Sequence, residues 1–100
     1  MPAWAHSGLE SSSPADGAVL DAAPTKVVLG FNEELLPDAE TISINTAAGE
    51  NVTSVKVQPE GSSVSIPWPA DLPSGDYQVA YRVVSADGHV GTGVFTFGSP

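Results

Sequence analysis

The stretch Tyr77-Gln78-Val79-Ala80-Tyr81-Arg82-Val83-Val84 decides the fold. Tyr77, Val79, Tyr81 and Val83 fall on one side of an extended chain, and Gln78, Ala80, Arg82 and Val84 on the other. This period of two is that of a strand with one face in a core. A further strand is expected over residues 94–97, after Gly91-Thr92-Gly93. Working backwards, residues 63–66 read as a short strand closed off by prolines 67, 69 and 73, because proline cannot donate to a ladder. Residues 52–57 follow a turn at Ala47-Ala48-Gly49-Glu50-Asn51, and Ile42 and Ile44 alternate with Ser43 and Asn45 before it. Val27, Leu29 and Phe31 alternate with Val28 and Gly30, and a first extended segment is expected near residues 7–12. Residues 35–40 are expected to form a helical turn kept short by Pro37.

Seven short strands with turn residues between them predict an all-β domain, a seven-stranded Greek-key sandwich of immunoglobulin-like form. A small closed barrel and a cupredoxin-like topology are the competing arrangements. No Cys…Trp…Cys signature is present, so apolar packing alone must join the sheets. Trp68, Tyr77 and Tyr81 are read as core or sheet-face aromatics, and the Asn51-Val52-Thr53 sequon as the end of a hairpin.

One hundred residues suffice for one domain and leave no room for two. Twelve Asp and Glu against three Lys and Arg give a net charge of -9, which argues against nucleic acid and for cations as ligands. A 41% hydrophobic content argues against disorder, and no run reaches the roughly 18 apolar residues of a membrane span. Without cysteine there is no disulfide, thiolate site or thiol nucleophile. Ala3-Trp4-Ala5 has the small-x-small form of a signal-peptidase site, which would make His6 the first mature residue; an ordinary N-terminus is the other reading. The expected organisation is a signal-peptide remnant or added residues over 1–5, the domain over 6–98 and the start of a linker at 99–100.

Metal chemistry is suggested by the histidines. Asp87-Gly88-His89 lies in the loop between the last two strands, where i and i+2 side chains of an extended chain point the same way. Gly88 permits a tight bend between them. A carboxylate oxygen and an imidazole nitrogen there make a pair of metal ligands, whereas the plain reading of Asp-Gly is a β-turn. His6, as a mature N-terminus, could offer both its α-amine and Nδ1. With His89 and Asp87 it would complete a planar set of three nitrogens and one oxygen, the tetragonal arrangement that Cu(II) prefers. Zn(II) favours a tetrahedron, and Ca(II) and Mg(II) favour oxygen ligands.

At this point the sequence resembles the CopC-type periplasmic copper-binding proteins of bacterial copper resistance and uptake. The likeness runs over residues 6–97. His6-Ser7-Gly8-Leu9 and Ser12-Ser13-Pro14-Ala15-Asp16-Gly17 are similar to the family's histidine-led opening and its S-x-P-A-x-G turn. Ala23-Pro24 through Phe31-Asn32-Glu33 is similar to A-P-x-x-(I/V)-x-L-x-F-(S/N)-E. Pro73-Ser74-Gly75-Asp76-Tyr77, Tyr81-Arg82 with Ser85, Asp87 and His89, and Gly93-x-Phe95-x-Phe97 follow in family order. The resemblance implies a Cu(II) site of His6, Asp87 and His89, with Glu33 near the metal in an axial or supporting place. Family members that also bind Cu(I) carry a methionine-rich loop, but Met1 is the single methionine here, so no Cu(I) site is expected.

The expected protein is therefore an exported, extracytoplasmic monomer that binds Cu(II), sequesters it or passes it to a membrane copper transporter, and performs no catalysis. Because amine and imidazole must be deprotonated to bind, affinity should fall as pH drops through roughly 6.5. One rival is a copper-dependent oxidative enzyme using an N-terminal histidine. The other is a metal-free immunoglobulin-like adhesion or assembly module.

Overall fold

The stretches between turn signals become strands, and where alternate residues are apolar, over 26–31, 40–46, 63–67 and 75–84, those residues turn inward. In the computed structural model, which describes residues 8–100, the strands are β1 (Leu9–Ser13), β2 (Lys26–Phe31), β3 (Glu40–Thr46), β4 (Asn51–Val57), β5 (Ser63–Pro67), β6 (Gly75–Val84) and β7 (Val90–Ser99). They form a three-stranded sheet in the order β1-β2-β5 and a four-stranded sheet in the order β4-β3-β6-β7, all pairings antiparallel. The fold is thus the expected sandwich. In the antibody constant arrangement the fourth strand joins the sheet of the first, second and fifth. Here β4 pairs with β3 and so belongs to the other sheet.

The core between the sheets takes Val27, Leu29 and Phe31 from β2, Ile42 and Ile44 from β3, Val64 and Ile66 from β5, and Tyr77, Val79, Tyr81 and Val83 from β6, all buried. Trp68 packs edge-on to Tyr77 at 5.2 Å and tilted against Phe97 at 5.1 Å. Phe31 meets Tyr81 edge-on at 5.5 Å. These contacts bridge the two sheets without a disulfide. Tyr77 also closes a tyrosine corner, its hydroxyl donating to the Pro73 carbonyl at 2.5 Å.

Two expectations are corrected. Residues 35–40 contain no helical turn: Leu35 N–H goes to the Gly61 carbonyl at 3.0 Å and Leu36 N–H to the Val84 carbonyl at 2.8 Å, after which the chain turns at Pro37-Asp38. Bonded across to Gly61 and Val84, and with Leu35 bridging Ser85, this part of the chain is held extended and does not wind. β7 is the other, ten residues long where four were expected. Gly91-Thr92-Gly93, expected to precede the strand, is paired within it, and the ladder runs on to Gly98 and Ser99 opposite Asp76 and Gly75. Gly93 is glycine because Tyr81, directly opposite, lays its ring over it; a Cβ there would lie 2.5 Å from Tyr81 Cζ. No helix among the described residues is long and apolar enough to cross a membrane.

Candidate metal centre

The site lies at the end of the sandwich where β6 turns into β7. β3 stops pairing with β6 at Thr41 opposite Arg82, and the segment leaving β2 takes its place along the next residues of β6. Leu36 N–H bonds the Val84 carbonyl, Leu35 bridges Ser85, and Ala86 N–H bonds the Glu34 carbonyl at 2.8 Å. This short crossover carries Glu33 from one sheet to the hairpin of the other.

That hairpin is closed by main-chain bonds from Ser85 N–H to the His89 carbonyl and from Gly88 N–H to the Ser85 carbonyl, both 2.8 Å. Gly88 sits at φ +95°, which a side chain would strain. The turn brings Asp87 Oδ1 to 3.2 Å from His89 Nδ1. One ligand atom each from Glu33, Asp87 and His89 lies within 4.8 Å of the others, close enough for a single ion to touch all three. All three side chains are exposed, so an ion can enter and leave without the fold opening.

Ser85 is the buried base of this arrangement. Its hydroxyl donates to Asp87 Oδ1 and accepts the His89 N–H at 3.2 Å. The Asp87 carboxyl is held below its ordinary 3.8, chiefly by the Ser85 hydroxyl bond and further by the His89 main chain and ring. It is therefore an anion, ready for a cation, well into the acid range. Beside these groups lies a cleft of about 380 Å³ lined by Gly8, Phe31, Asn32, Glu33, Leu35, Val83, Ser85, His89, Val90 and Gly91. Gly8 enters it held by Asn32 N–H on its carbonyl at 2.9 Å.

Three of the four sequence-predicted ligands, Glu33, Asp87 and His89, are thus together; His6 lies outside the described residues. Ser85 stood within the recognised sequence pattern without a role assigned to it. Its hydroxyl bonds are made only once the hairpin forms.

A family model of the CopC domain matches residues 9–99. The chain belongs to the CopC domain family. It is 39% identical over 106 residues to copper resistance protein C of Escherichia coli, covering 95% of this chain and 82% of that relative. The crystal structure of CopC from Methylosinus trichosporium OB3b superposes with a TM-score of 0.85 at 30% identity, covering 94% of this chain and 93% of the other. PcoC, described as a methionine-rich copper resistance protein from Escherichia coli, superposes with a TM-score of 0.67 at 29% identity, covering 96% and 100%. CopC membership agrees with the sandwich described above.

Proposed function

We propose that this CopC-domain protein binds Cu(II) outside the cytoplasm and sequesters it or delivers it to a membrane transporter. The observation that carries the reading is the convergence of Glu33, Asp87 and His89 ligand atoms within 4.8 Å. One imidazole and a carboxylate in the plane, with a second carboxylate nearby, leave two nitrogens to be found for a tetragonal Cu(II) site. His6 can supply both through its imidazole and a free α-amine. It lies two residues before Gly8, about 7 Å of chain from a residue that lines the cleft.

Removal of residues 1–5 at Ala3-Trp4-Ala5 would free that amine and accompany export. In the longer chain the nitrogen is locked in a peptide bond, so tight binding belongs to the form beginning at His6. The donors are nitrogen and oxygen. With Met1 as its one methionine, the chain has no counterpart to the methionine richness of PcoC and no soft set for Cu(I). Binding and release are the whole chemistry: the residues hold an ion and supply neither nucleophile nor acid–base pair.

The test is a Cu(II) competition titration of the protein beginning at His6 beside the chain beginning at Met1. The first should bind more tightly, with a tetragonal electron paramagnetic resonance signal. Equal affinity would remove the terminal chelate from the reading, and no binding by either form would leave a metal-free module.

A further inference from the structure

Glu40 is wholly buried, and its Oε1 has no hydrogen-bond partner among the described residues. An acid in such a place calls for a physical reason. Its position on β3 explains the burial: Glu40 has the parity of Ile42 and Ile44, so the strand that points them into the core points Glu40 inward as well.

The β3–β6 register explains what the carboxyl does there. The ladder pairs Thr41 with Arg82, and continued in register it would pair Ala39 with Val84. The chain leaves that path at the Pro37-Asp38 turn, where Asp38 adopts φ +66° and is clasped by Gln58, its Oδ1 accepting from Nε2 at 2.6 Å. Leu36 N–H takes up the Val84 carbonyl in place of the missing strand. The Val84 N–H is left over, and Glu40 Oε2 accepts it at 3.3 Å. A side-chain oxygen thus stands in for an absent main-chain carbonyl. Val84 is also the residue directly before Ser85, on whose hydroxyl both Asp87 and His89 hang.

We infer that Glu40 is a positioning residue for the metal hairpin, fixing the end of β6 so that Ser85 presents Asp87 and His89 in ligand geometry. The inference rests on the Cu(II) reading for its consequence, but its structural half is testable without metal. Glu40→Leu fills the same space and cannot accept a hydrogen bond, whereas Glu40→Gln keeps an acceptor. Amide hydrogen exchange and backbone chemical shifts are compared for the metal-free proteins, followed by Cu(II) titration and electron paramagnetic resonance of the forms beginning at His6.

In Glu40→Leu the Val84 amide should lose protection and the shifts of residues 85–89 should move. Glu40→Gln should restore both. With copper, Glu40→Leu should bind roughly 10-fold or more weakly, as is usual when a group supporting a ligand is removed, and with an altered resonance signal. Unchanged Val84 exchange and unchanged shifts over 85–89 in a folded Glu40→Leu protein would overturn the inference. So would native copper affinity and signal in that variant. If the unmutated protein bound no Cu(II), the copper reading would fail while the exchange data still decided the role of Glu40 in the hairpin.

Discussion

The Ser85 hydroxyl donates to Asp87 Oδ1 while it accepts the main-chain N–H of His89, so one buried side chain holds both ends of Asp87-Gly88-His89. The two ligand candidates are therefore coupled through a residue that never needs to touch the ion. Coordination geometry at such a site is set as much by what orients the ligands as by the ligands themselves.

Ser85→Ala should raise the Asp87 pKa toward 3.8, since the Ser85 hydroxyl is the largest cause of its depression. The sign for stability follows. A carboxyl depressed in the folded state contributes stability that is full above its unfolded value and is lost as pH falls through the folded one. The deficit of the variant from this source should be present at neutral pH and fade as pH falls below 3.8. Carboxyl-detected NMR titration of both proteins checks the shift, and acid unfolding curves check the window. An unmoved Asp87 titration would remove Ser85 as the cause.

Substitution of the candidate ligands should grade their roles in the protein beginning at His6. His89→Ala removes a nitrogen donor and should cost more than the roughly 10–100-fold in affinity typical of losing an orienting partner. Asp87→Asn keeps the shape but loses the anion, and should weaken binding strongly while changing the resonance signal. Glu33→Gln removes the anion of a carboxylate proposed only to support the ion, and should cost less, within about 10-fold. Isothermal titration with a copper-competing chelator reads all three. Unchanged binding by His89→Ala would sink the copper reading.

What the sequence revealed, and what it hid, follows from which contacts are local. The alternation in β6 was legible because every second residue from Tyr77 to Val83 is buried in the core. The first half of β7 was not, because Gly91 and Gly93 read as turn formers when taken alone. The smallness of Gly93 is explained only by the Tyr81 ring opposite. Asp87 and His89 are two residues apart, so their convergence needed no knowledge of the fold. Glu33 came from the family resemblance, since it reaches the hairpin only through the pairing of residues 34–36 with 84–86. Residues 35–40 misled for the same reason: a local pattern suggested a turn of helix, but Leu35 and Leu36 are held extended by bonds to Gly61 and Val84, far away in sequence. The parity of Glu40 with Ile42 and Ile44 was visible, but its role depends on a break in a ladder between strands 44 residues apart.

Gly93→Ala should be destabilising despite its small size. The added carbon would sit 2.5 Å from Tyr81 Cζ and 2.9 Å from Cε2. The ring cannot swing aside freely, because it is buried and packed edge-on against Phe31. Overpacking of this kind costs about 1–3 kcal/mol, and a domain of this size loses roughly 4–8 °C of Tm per kcal/mol. Thermal unfolding measures it. A native Tm would mean that Tyr81 has room the packing does not suggest.

Tyr77→Phe removes the hydroxyl that bonds the Pro73 carbonyl and leaves the ring contact with Trp68 in place. The loss of one such bond, with a partly buried carbonyl left to find water, should cost about 1 kcal/mol. The copper site should not register it. Tyr77 is eight residues before Ser85 along an extended strand, roughly 26 Å at the usual rise, and their hydroxyls donate to different residues, Pro73 and Asp87. Sites so separated act additively within about 0.5 kcal/mol. The Tyr77→Phe, Ser85→Ala double variant should therefore show the summed loss in urea unfolding, with Cu(II) affinity equal to that of Ser85→Ala alone. A copper affinity that changed with Tyr77 would mean that the corner at one end of β6 communicates with the hairpin at the other, and the strand would then have to shift as a rigid unit for the two ends to be coupled.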